Sequence, residues 1–112
     1  MATITPSLTH NQRYIRAVWS GVATGDTIMP LETDMPADCS SVHIFGTFGG
    51  ATVTLDGTLD ETNYVTLLDH EGNAISKTAE AVEGLRTGAV SYRPSITGGT
   101  GDSVTLVLVI WL

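Results

Sequence analysis

Between Gly49 and Asp56 apolar and polar residues alternate, with Ala51, Val53 and Leu55 on one side and Thr52, Thr54 and Asp56 on the other. Successive side chains of a strand point to opposite faces, so this period of two predicts a half-buried strand. A polar turn over 56–63 and an apolar run over 64–68 complete a hairpin. A second turn over 69–73 contains Gly72-Asn73 and leads into a short strand at 74–78.

The same period recurs elsewhere. Over 13–23, Tyr14, Arg16, Val18 and Ser20 oppose Ile15, Ala17, Trp19 and Gly21. Over 41–48, Val42, Ile44, Gly46 and Phe48 oppose His43, Phe45 and Thr47. Residues 79–85 fit either a strand or a single helical turn. Residues 89–97 read as a strand bent at Pro94, which favours an edge or a bulge there. The run 98–102 is a glycine-rich turn feeding the last strand, 103–112, which is apolar on both faces. Such a strand lies mid-sheet with both faces covered, or packs its outer face on another subunit.

Two stretches lack this order. Residues 24–40 hold Gly25, Asp26, Pro30, Asp34, Pro36 and Asp38, the composition of a long loop, with room for a short strand at 27–29. Residues 1–11 are an apolar, Thr-rich leader with Pro6, read as an N-terminal arm or a first edge strand, ahead of a domain over 12–112. No helix, heptad or long repeat is visible. About eight strands separated by turns predict a single-domain, all-β antiparallel β-sandwich of jelly-roll or Ig-like type.

Composition narrows the function. Only 15% of the 112 residues are charged, which fits either partner chains covering some of the apolar surface or a well-buried β-sandwich rich in Val and Thr. Twelve carboxylates against five Lys and Arg give a net charge of −7. Arg13, Arg16, Lys77, Arg86 and Arg93 are scattered and make no basic stripe, so nucleic acid is excluded as a partner. Cys39 is the sole cysteine and cannot form an intrachain disulfide, as suits a reducing compartment. The opening MATITP shows no secretory signal. The apolar run at the other end is far shorter than the ~20 residues of a membrane helix, so no membrane partner is expected.

Candidate chemistry is thin. Gly101-Asp102-Ser103 brushes against an esterase signature, but no His follows it to act as base. Cys39 and His43 have a helical spacing in a segment that reads as strand. His10, His43 and His70 show no metal-ligand spacing. The turns holding Asp56, Asp60 and Glu61, and Asp69 to Asn73, do not follow the order of a calcium loop. Gly46, Gly49 and Gly50 fit a bulge better than a phosphate cradle. No enzyme, metal or cofactor is expected.

The passage GTFGGATVTLDGTLDETNYVTLLDHEGNAI, followed by Tyr92-Arg93-Pro94 and TGGTGD over 97–102, resembles small virion proteins of tailed bacteriophages. The likeness covers residues 46 to 109. It departs from the pattern at Tyr64, where Trp is usual, and at Glu61, where Gly is usual. The resemblance implies a capsid decoration (cement) protein that stabilises the head from outside, often as a homotrimer bound to the major capsid protein, after assembly in the host cytoplasm. Acidity agrees with a position away from packaged DNA. The leader and the 24–40 loop are then expected to touch the capsid or sister copies, with Thr3, Ile4, Pro6, Leu8, Trp19, Met29, Leu31 and Trp111 as interface residues. The alternative is a glycan- or receptor-binding module of a tail or head fibre, with Trp19, Tyr64 or Tyr92 as stacking platforms.

Overall fold

The computed structural model describes residues 2–33, 40–86 and 88–111. Cys39 and the 34–38 part of the long loop lie outside the described residues. Those described form twelve strands: β1 (Thr3–Ile4), β2 (Ser7–His10), β3 (Tyr14–Val22), β4 (Thr27–Ile28), β5 (Leu31–Glu32), β6 (Ser40–Thr47), β7 (Thr52–Thr58), β8 (Val65–Thr66), β9 (Ser76–Lys77), β10 (Ala81–Gly84), β11 (Ser91–Thr97) and β12 (Ser103–Trp111). The number exceeds eight because five of them are two residues long. No helix long and apolar enough to cross a membrane occurs among the described residues.

The strands make an all-β sandwich. One sheet runs β10-β6-β12-β3-β2 and the other β5-β11-β7-β8, with β9 also paired to β7. Every strand pair in these two sheets is antiparallel; only the small ribbon β1-β4 is parallel. The core lies between the sheets. Ala17 and Trp19 of β3, Val42 and Ile44 of β6, and Val104, Leu106, Leu108 and Ile110 of β12 meet Val53 and Leu55 of β7 and Tyr92 and Ile96 of β11. Ala51, Val53 and Leu55 are fully buried, on the face that their alternation predicts.

The alternation of β3 holds from Tyr14 to Trp19 and then slips. Trp19 pairs with Leu106 but Val22 with Val104, so β3 spends one extra residue over that stretch. Gly21, at φ 63°, takes the left-handed conformation that such a bulge needs. Val22 is thereby turned into the core, and Gly21, expected beside Trp19, is exposed.

Three further elements resolve in detail. Residues 81–84 are a strand, not a helical turn, at the edge of the first sheet. Pro94 sits in mid-β11, where β5 reaches only Ser91 and Tyr92, so no neighbour asks it for an amide donor on that side. The leader is an edge strand and not a separate arm: β2 pairs with β3 from Ser7↔Val18 to His10↔Ile15, and β1 pairs with β4. The segment 1–11 is therefore stitched into the domain assigned to 12–112.

Candidate interaction surfaces

The ribbon β1-β4 straddles one end of the sandwich. From it, Thr5-Pro6 carries the chain to β2 at the edge of one sheet, and Met29-Pro30 carries it to β5 at the edge of the other. Each proline interrupts pairing and lets the chain change sheets. Where the two edges part, Thr5, Pro6, Leu8, Met29, Pro30, Leu31 and Glu32 line an open, mostly apolar groove of about 420 Å³. Leu8 is 58% and Met29 43% exposed within it. Leu8 pairs with Ala17 and so points toward the sandwich interior, yet β2 is an edge strand and its side chain overhangs into solvent.

Hydrogen bonds hold the groove's walls. Thr27 N donates to Ala2 O and Met29 N to Ile4 O, each at 2.8 Å. Asp26 accepts from the amides of Ala2 and Ala23, both at 2.9 Å, and these donors lower its carboxyl pKa below 3.8. Beside it, Asp102 Oδ2 accepts from the Thr24 hydroxyl and amide, which lower its pKa in that order of size. The Thr24 hydroxyl in turn accepts from Gly99 N at 3.0 Å. Asp102 of the Gly101-Asp102-Ser103 stretch is thus a clasp between two turns.

Other acids serve locally as well. Asp60 accepts from the amides of Asn63 and Thr62, the Asn63 side chain and the Thr58 hydroxyl, and its pKa falls well below the usual carboxylate range. Asp69, buried, accepts from the amides of Glu71 and Asn73. No group of three or more possible metal ligands occurs among the described residues.

The expected interface residues divide. Pro6, Leu8, Met29 and Leu31 come together in the groove, with exposed Thr3 and half-buried Ile4 on the adjoining ribbon. Trp19 is a correction: it is 0% exposed in the core, because the face it shares with Ile15 and Ala17 is the inward one. Leu31, at 3%, is the groove's floor and offers little to a partner. Trp111 lies apart, on the outer face of the first sheet, edge-to-face with Tyr14 at 5.5 Å between ring centroids. The alternation over 13–23 could have excluded Trp19, since it sorts the indole with Ala17 and not with Arg16.

Of the expected interface residues, Trp111 alone belongs to a second surface. On the outer side of β10-β6-β12-β3, Val82, His43, Val107 and Val18 stand in one cross-strand row, with Phe45, Val109, Tyr14 and Trp111 beside them. Val82 is 65% exposed, Trp111 47%, and Val107 and Val109 are half-buried. The two-faced apolar pattern of 103–112 signalled this: the described residues cover one face of β12 and leave the other half-exposed.

The stacking platforms fare poorly. Tyr92 is fully buried, its hydroxyl accepting from Ala89 N at 2.8 Å. Tyr64 is half-buried and carries the Arg93 guanidinium 3.9 Å from its ring centroid.

No protein-family model matches this chain, and no curated protein matches it. Among solved structures it is similar to protein NMB1881 from Neisseria meningitidis, at 13% identity and a TM-score of 0.40, over 96% of this chain and 82% of that one. A likeness that distant carries nothing about function.

Proposed function

We propose that this chain is a virion structural protein of a tailed phage, a capsid decoration protein that clamps the major capsid protein from outside. The observation that carries this reading is the apolar groove between β2 and β5. Two segments distant in sequence, 5–8 and 29–32, converge there and leave Leu8 and Met29 in water, and exposed apolar clusters of this kind mark protein contacts. The net charge of −7 supports a place on the outer shell, away from DNA. A glycan-binding module has less support, because Trp19 and Tyr92 are buried and Arg93 occupies a face of Tyr64.

The test is co-sedimentation of purified protein with expanded phage heads stripped of their decoration protein. Wild-type protein should pellet with the heads. The double variant Leu8→Glu, Met29→Glu should stay in the supernatant while keeping its circular dichroism and melting temperature. A wild-type protein that ignores the heads removes the function; a variant that still binds removes the groove.

A further inference from the structure

We propose that two copies of this chain pair through the outer face of the sheet β10-β6-β12-β3-β2. The first argument is charge. The outward positions are Ser7 and Thr9 on β2, Tyr14, Arg16 and Val18 on β3, Ser103, Thr105, Val107, Val109 and Trp111 on β12, Ser41, His43, Phe45 and Thr47 on β6, and Val82 and Gly84 on β10. None is Asp or Glu, in a chain that holds twelve carboxylates. Two molecules of net charge −7 repel over most approaches. Laid face to face on this sheet, they bring no acid of these strand positions into the contact. Arg16 is the only arginine or lysine at these positions, opposite Val109 and 5.7 Å from the Tyr14 ring centroid.

The second argument is composition by row. A sheet face that meets water usually reads polar at its outward positions. Here the central row is Val82-His43-Val107-Val18, flanked by Phe45 and Val109, with His43 and Phe45 rings already packed 4.7 Å apart. Val107 stands at the middle of that row, on the central strand.

The third is size. Five strands at about 4.8 Å spacing and about seven residues at about 3.3 Å each give about 550 Å² per copy, or about 1,100 Å² in a pair. Specific interfaces begin near about 1,000–1,200 Å². The whole face must be covered to reach that, which puts Val107 at the centre of the contact. A surface meeting its own copy about a two-fold axis closes at two, unlike the trimer that the resemblance implies.

The test is the mass in solution by sedimentation velocity, for the full chain, Val107→Glu and the control Val65→Glu. Val65 is 69% exposed on the other sheet. Wild type and the control should both show a concentration-dependent species of twice the 11.8 kDa chain. Val107→Glu sets two unpaired carboxylates against each other and should raise the dissociation constant by about two orders of magnitude or more, leaving a monomer of unchanged circular dichroism. A monomeric wild type, a trimer, or a dimer that Val107→Glu leaves intact would each overturn the pairing. The capsid reading does not depend on it: Val107→Glu keeps the groove, and head binding by that monomer would separate the two surfaces.

Discussion

The indole Nε1 of Trp19 donates to the backbone carbonyl of Met29 at 2.9 Å. The buried ring thus does two things at once. Its body fills the core between the sheets, and its polar tip holds the segment that joins β4 to β5, the wall of the groove. Trp19→Phe removes the donor and part of the ring. We expect a loss of about 2–3 kcal/mol in urea unfolding, from the missing hydrogen bond and the void together. In the same variant, at a dilution where the chain is monomeric, the remaining Trp111 fluorescence should be quenched readily by acrylamide, whereas Trp111→Phe should leave a protected signal. Equal quenching in the two would contradict the burial.

Acid should unfold this protein in a defined window. Asp26, Asp60 and Asp102 accept hydrogen bonds that lower their pKa values in the folded state. Unfolded, each titrates near about 3.9. In the pH range below that value the unfolded chain therefore binds more protons than the folded one, and acid favours unfolding. The stabilisation is complete above about pH 5 and is lost as pH falls through the lowered folded values. The melting temperature should drop below about pH 4. Asp102→Asn should shrink that drop while lowering the melting temperature at neutral pH; an unaltered acid profile would rule out the clasp to Thr24.

Gly46 sits in β6 at φ 127°, opposite Val104, and a Cβ there would lie 2.5 Å from the Ser103 carbonyl oxygen. Backbone cannot retreat as a flexible side chain can. Gly46→Ala should cost at least about 2 kcal/mol in denaturant unfolding, from the clash and the left-handed strain combined. A change within experimental error would show that β6 and β12 do not run this close.

Buried hydroxyls should divide by their partners. The Ser91 Oγ is buried and has no hydrogen-bond partner among the described residues, so Ser91→Ala should be neutral or stabilising by up to about 1 kcal/mol. The Thr58 Oγ1 donates to Asp60 and accepts from the amides of Asp60 and Glu61, in a turn where Glu61 adopts a φ of 65°. Thr58→Val keeps the shape and breaks all three, at a cost of about 1–3 kcal/mol. Thermal melts of the two variants would contradict this if their order were reversed.

What the amino-acid order determined is the local half of the fold. A strand's two faces differ at every step, so Ala51, Val53 and Leu55 turned inward as written, and β12 announced that both its faces are apolar. Turn residues marked where strands stop. Contacts between distant segments decided the rest, because nothing local says which strand becomes a neighbour. The bulge at Gly21 arises from the register of β3 on β12, and the leader became β2 because β3 offered it an unpaired edge. Tertiary packing also sorted the interface candidates. Leu8 and Leu31 are alike as residues, yet one overhangs an edge and the other floors the groove. Among the described residues nothing covers the outer face of β12, because the second sheet lies against only one side of the first.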